Sequence, residues 1–229
     1  MRVLIGLGNP GPTYHNTRHN LGFWVIDILA ERWRIPLVAS PLLSRLGQGS
    51  RHARGNVRTD GDSDKGKREN RWTLKDITFP LEGHHVSPCD QTVLLVQPQT
   101  FMNNSGEAAG RIRHWYGLSA ADFLVVHDDL ALPAGRIRVK RGGGGAGGNR
   151  GVASIIDGLG SPDFPRVKIG IGRPQDTTSV TEFVLRRFTP QEGASMLCAA
   201  RHAADAVEAV CTRGLEWAMD GFNRIGCGG

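Results

Sequence analysis

Short continuous apolar runs alternate along this chain with stripes of apolar residues at helical spacing, and that alternation leaves few folds open. The runs are Val3-Leu4-Ile5, Thr92 to Gln97, Phe123 to His127, Ile137 to Lys140 and Arg166 to Ile171. Apolar character over so few residues predicts strands buried on both faces. Between them, Leu21, Val25, Ile28 and Leu29 form one helical stripe. Ala108, Ala109, Ile112, Trp115 and Tyr116 form a second, with Asn104 as N-cap and Gly117 as stop, and Val152, Ile155, Ile156 and Leu159 form a third. Thr189-Pro190-Gln191-Glu192 reads as a capping box with Pro at the first helical position. It opens a long helix carrying Leu197, Ala200, Ala204, Val207 and Cys211, which Gly214 ends. Interleaved strands and helices predict an α/β sandwich around a largely parallel or mixed sheet. A length of 229 residues suits one well-buried domain, spanning about residues 1–225.

Two segments interrupt this pattern. Ser44 to Arg71 is rich in Gly, Arg, Asp and Ser and nearly devoid of apolar side chains, so burial cannot offset the entropy of ordering it. It is expected to be a flexible surface insertion at about residues 44–71. Arg141 to Arg150 is mostly glycine and lies between a strand and a helix, where a plastic loop lets backbone N–H groups approach a ligand. The net charge of +6 favours a polyanionic partner. Cys89, Cys198, Cys211 and Cys227 form no CxxC pair and no metal-ligand spacing, so no metal site and no disulfide framework is expected. No segment resembles a signal peptide, and none approaches the roughly 18 apolar residues of a membrane helix, so a cytoplasmic location without membrane contact is expected.

The first turn admits three readings. Gly6-x-Gly8-x-x-Gly11 after a strand matches a dinucleotide fingerprint in its letters. Its context fits that reading poorly: Pro10 and Pro12 crowd the turn, and the next helical stripe begins only near Leu21. In the second reading the turn holds Asn9, whose amide can donate to a carbonyl oxygen as negative charge develops there. His19 is then a general base, the role that an imidazole most often takes in proton transfer. Asp128, at the end of the strand from Phe123, is its best orienting partner, and Asn103 is a second amide between a strand and a helix. The third reading is a non-catalytic RNA-binding module, which would need the basic surface but not the His–Asp pair.

Gly6-Leu7-Gly8-Asn9-Pro10-Gly11, Tyr14, Thr17-Arg18-His19-Asn20 and Phe101-Met102-Asn103 with Ser105-Gly106 resemble the bacterial-type peptidyl-tRNA hydrolases. So do His127-Asp128-Asp129-Leu130 with Leu132-Pro133 and Gly135, and Val167-Lys168-Ile169-Gly170-Ile171-Gly172-Arg173-Pro174. The match runs in order from the first residues to about Asn223, apart from the insertion. The resemblance implies a monomeric α/β/α globule of three layers around a mixed sheet. It also implies hydrolysis of the ester joining a peptide to the 3′ ribose of tRNA, without metal or cofactor.

On that resemblance His19 activates water, Asp128 orients the imidazole, and Asn9 and Asn103 place the substrate and share stabilisation of the oxyanion. Tyr14 lines the pocket near the scissile end. Lys140 and Lys168 clamp the tRNA 5′ phosphate, and Arg138 shares one strand face with Lys140. The chain departs from the family at one place. The family commonly has Gly-His-Asn-Gly after the glycine loop, with the Asn reaching substrate; here Gly148-Asn149-Arg150-Gly151 stands there. Arg150 then takes the Asn place and Asn149 the His place, unless a one-residue shift in the glycine run brings Asn149 into that role.

Overall fold

The computed structural model describes residues 1–51, 57–58, 91–174 and 176–224. At its centre is β1 (Arg2–Gly6), paired in parallel on one side with β5 (Gln91–Pro98) and on the other with β6 (Phe123–Asp129). β8 (Arg166–Gly170) continues the parallel set beside β6. Antiparallel strands complete both flanks. β7 (Ile137–Lys140) lies on β8, β3 (Ser44–Arg51) lies on β5, and β2 (Val38–Ser40) and β4 (Val57–Arg58) both pair with β3. The sheet runs β2-β3-β5-β1-β6-β8-β7 and is mixed, with a parallel centre.

Alternation along the strands divides the core in two. Leu4, Leu95, Leu124, Val126, Val167 and Ile169 face α1 (Leu21–Trp33), α4 (Val180–Leu185), α5 (Pro190–Arg213) and α6 (Leu215–Phe222). Val3, Ile5, Leu94, Val96, Phe123 and Val125 face α2 (Ser105–Tyr116) and α3 (Arg150–Leu159). The molecule is therefore the expected three-layer α/β/α arrangement. Each fully buried Val, Leu or Ile contributes roughly 1.5–3 kcal/mol of apolar burial.

Local signals account for the helix ends. Thr189 and Glu192 form the reciprocal cap at the start of α5. Gly117 closes α2 in the left-handed region. Asn104 precedes α2 as expected, without a side-chain capping bond.

Two close approaches fix how helices meet the sheet and each other. A Cβ on Gly22 would lie 2.4 Å from the Leu7 nitrogen and 2.5 Å from the Val126 carbonyl oxygen, so α1 touches down on bare backbone. A Cβ on Gly106 would lie 1.8 Å from the Ser154 carbonyl oxygen, and one on Gly158 would lie 2.1 Å from that of Gly106. α2 and α3 therefore cross backbone to backbone.

The insertion expected from Ser44 is corrected at its start. Ser44–Arg51 is a strand paired along its whole length with β5, from Ser44 opposite Pro98 to Arg51 opposite Gln91. The ladder of a strongly apolar neighbour outweighs the weak strand propensity of this stretch. Val57–Arg58 pairs back on it; residues 52–56 and 59–71 lie outside the described residues.

Candidate active site

The carboxyl ends of the parallel strands converge on a cleft of about 250 Å³, the place where open α/β sheets gather ligands. β1 runs into the turn bearing Asn9, β5 into Phe101 and Asn103, and β6 into His127, Asp128 and Asp129. The 3₁₀ turn Arg18–Asn20 adds His19, the glycine loop and first turn of α3 add Asn149 and Arg150, and α4 supplies one wall.

His19 Nδ1 lies 3.0 Å from Asp128 Oδ1 and 2.9 Å from Oδ2. The carboxylate side chain is 3% exposed and the imidazole 16%. A carboxylate can only accept, so Nδ1 carries the proton and Nε2 is left as a base. Asn9 Oδ1 accepts the Met102 N–H at 2.8 Å, which leaves the Asn9 amide nitrogen to the cleft. Asn103 lines the same cleft, is exposed, and donates to Asn104 Oδ1 at 3.1 Å. Tyr14 stands edge-on to Phe101 at the rim, with ring centroids 6.3 Å apart.

The expected residues Asn9, Tyr14, His19, Asn103, Asp128, Asn149 and Arg150 thus share one cleft. Lys140 and Lys168 lie outside its lining, on adjacent antiparallel strands. Lys168 Nζ is 2.6 Å from Asp129 Oδ2, and both side chains are largely buried. Burial works to raise the Asp129 pKa, but Lys168 and the Ala131 N–H outweigh it and hold the carboxyl below its usual range. Lys168 therefore meets any phosphate as half of a neutral pair, whereas Lys140 only donates to the Gly143 carbonyl at 3.4 Å.

Several residues with work in the site were not singled out by sequence reasoning. Asn20 bonds both the N–H and the carbonyl of Asn9. Buried Arg18 pairs with Glu192 at 2.5 Å, donates to the Phe183 and Arg186 carbonyls, and stacks on Phe183 and Phe188. It thereby ties the segment of α4 to the turn that bears His19. Both residues belong to the Thr17–Asn20 motif, which was the available signal.

Buried Arg166 donates to the Gly145 and Gly144 carbonyls at 2.8 and 3.2 Å, pinning the glycine loop from beneath. Positive φ at Gly143, Gly144, Gly147 and Gly148 gives that loop its path. Finally, His127 Nδ1 donates to the Asp128 carbonyl at 2.7 Å while its buried Nε2 has no partner. Burial pushes this imidazole down to about 4, against the pull of Asp128.

The glycines of the first turn serve packing. A Cβ on Gly6 would lie 2.2 Å from the Gly22 carbonyl oxygen, and one on Gly8 would meet the Phe23 ring at 2.7 Å. α1 starts only at Leu21, and its first residues, Gly22 and Phe23, pack directly on Gly6 and Gly8, which leaves no room there for the pyrophosphate of a dinucleotide site. Among the described residues, no cluster of three or more His, Cys, Asp or Glu gathers as a metal site, and no helix is long and apolar enough to cross a membrane.

Fold and cleft together define an α/β enzyme whose reactive groups hang from the carboxyl ends of its parallel strands. The model of the family described as Peptidyl-tRNA hydrolase matches residues 3–227. A peptidyl-tRNA hydrolase of Synechococcus sp. (strain JA-3-3Ab) is 41% identical over 225 residues, covering 98% of this chain and 84% of the relative. One from Bacillus pumilus (strain SAFR-032) is 38% identical over 224 residues, covering 98% and 99%. The crystal structure of peptidyl-tRNA hydrolase from Acinetobacter baumannii superposes with a TM-score of 0.75 at 28% identity, covering 100% of this chain and 97% of that one. The chain belongs to the peptidyl-tRNA hydrolase family.

Proposed function

We propose that this protein hydrolyses the ester joining a peptide to the 3′ ribose of tRNA, releasing both for reuse in translation. The observation that carries the mechanism is the His19–Asp128 pair, with Nδ1 bonded to both carboxylate oxygens and Nε2 left for a proton. His19 Nε2 takes a proton from water as the water oxygen bonds to the ester carbonyl carbon. Asp128 holds the tautomer and offsets the charge of the imidazolium. The Asn9 amide, with Asn103, donates to the tetrahedral oxyanion. When the intermediate collapses, the ribose 3′-oxygen leaves and takes the proton from His19.

Supporting groups are matched to a tRNA end. Tyr14 and Phe101 form an aromatic rim. Arg150 lines the cleft and, with Lys140 and Lys168, would meet the acceptor end and the 5′ phosphate. The net charge of +6 suits this polyanion. Peptide-backbone contacts to the two carboxamides would favour peptidyl over aminoacyl tRNA, since a free α-ammonium cannot reproduce them. A monomer acting in the cytoplasm fits this substrate. A non-catalytic RNA-binding role gives the His19–Asp128 pair nothing to do.

The test is release of peptide from N-blocked aminoacyl-tRNA by the purified protein. His19→Ala should abolish release and leave tRNA binding nearly intact. Full activity in that variant would remove His19 from the mechanism.

A further inference from the structure

We infer that Asn149 is a positioning residue for the Asp128 carboxylate, and that Arg150 beside it is left to face the substrate. The inference rests on the reading that Asp128 orients His19. Asn149 is the N-cap of α3, and both ends of its carboxamide are engaged inside the protein. Its Oδ1 accepts the Val152 N–H at 3.1 Å. Its Nδ2 lies 3.2 Å from the Asp128 carbonyl oxygen and 3.3 Å from Asp128 Oδ1. The orientation is settled by chemistry, because the Val152 N–H needs an acceptor and the Asp128 oxygens need a donor. Asp128 Oδ1 therefore sits between the imidazole of His19 and the amide of Asn149.

The neighbouring contacts make this arrangement stiff. A Cβ on Gly151 would lie 2.3 Å from Met102 Sδ, so the first turn of α3 is lodged against Met102. The Met102 N–H in turn bonds Asn9 Oδ1. Contacts thus pass from Asn9 through Met102 and the start of α3 to Asn149, Asp128 and His19. The charged or titratable groups around this carboxylate are His19, its β6 neighbours His127 and Asp129, and Lys168 on β8, which is paired with Asp129; Arg150 lines the same cleft. Arg150 has no hydrogen bond or ion pair among the described residues, is exposed, and lines the cleft. A cation at the first helical position is poorly placed for the helix dipole, so helix stability does not explain it.

Three variants separate the capping role from the positioning role. Asn149→Asp and Asn149→Ser keep a capping oxygen, and both are expected to unfold within a few degrees of the parent. Both lose the amide donor, and kcat for peptide release should fall on the order of 10-fold to 100-fold with KM little changed. In Asn149→Asp the acid limb of the kcat–pH profile should also move to higher pH, since a second carboxylate favours the imidazolium. In Asn149→Ser that limb should stay in place. Asn149→Ala should add a loss of thermal stability.

Parental kcat and pH profile in both Asp and Ser variants would overturn the inference. So would a loss confined to KM, the signature of direct substrate contact. Failure of the parent protein itself to release peptide would instead remove the proposed function.

Discussion

Asn20 holds the backbone of Asn9 at both its polar groups: Oδ1 accepts the Asn9 N–H at 2.9 Å, and Nδ2 donates to the Asn9 carbonyl at 2.9 Å. The two residues lie on either side of a turn rich in Gly and Pro. This pair of hydrogen bonds closes that turn and aims the Asn9 side chain at the cleft. Asn20 is 2% exposed, so these bonds are made away from competing water.

Asn20→Ala is expected to leave substrate affinity nearly unchanged and to lower kcat on the order of 10²-fold, because a misplaced oxyanion donor costs rate more than binding. Steady-state kinetics on N-blocked aminoacyl-tRNA checks this. A rise in KM at parental kcat would contradict it.

His127 makes stability depend on acid. Its native pKa is depressed from 6.5 to about 4, so between those values the unfolded chain binds a proton that the native protein refuses. The associated stability is present in full above the unfolded pKa and is lost as pH falls toward 4, amounting to about 3 kcal/mol. His127→Asn keeps a donor for the Asp128 carbonyl and cannot titrate. Urea unfolding at pH 7.5 and 4.5 should show a smaller acid loss in that variant than in the parent.

Gly106→Ala tests the crossing of α2 and α3. The added methyl would meet the Ser154 carbonyl, and the helices cannot part without losing the Gly106 N–H bond to Ser154 Oγ at 2.8 Å. A loss of about 3 kcal/mol is expected from overpacking against backbone. A parental denaturation midpoint would show that the helices separate freely.

Arg150→Gln removes a charge without shortening the side chain much. KM for the tRNA substrate should rise, and its dependence on salt should weaken by about one released counterion in the log–log slope. The kcat at saturating substrate should hold. An unchanged salt slope would place Arg150 away from phosphate.

The centre of the fold was legible because its strands are buried on both faces and leave continuous apolar letters, as in Val3-Leu4-Ile5 and Phe123–Val126. The turns after these strands made Asn9, Asp128 and Asn103 readable as one group, and the Thr17–Asn20 motif added His19. β3 was not readable, since Ser44–Arg51 has one large apolar residue and is ordered by β5 rather than by its own composition. Its Gly47 permits a close pass, where a Cβ would lie 2.6 Å from the Pro36 carbonyl oxygen. Nothing in the letters around Arg166 marked its role; it is buried because the glycine loop, some 21 residues earlier in the chain, offers it carbonyls. The contact between Asn149 and Asp128 was not readable, since it joins residues 21 apart and no local pattern names it.

At Gly22 the peptide chain of α1 rests directly on Leu7 and Val126, with no side chain intervening. The span from His19 to Asp128 is consequently set by main-chain geometry on both sides. A methyl group at this one position would push α1 off the sheet and shift the imidazole away from its carboxylate.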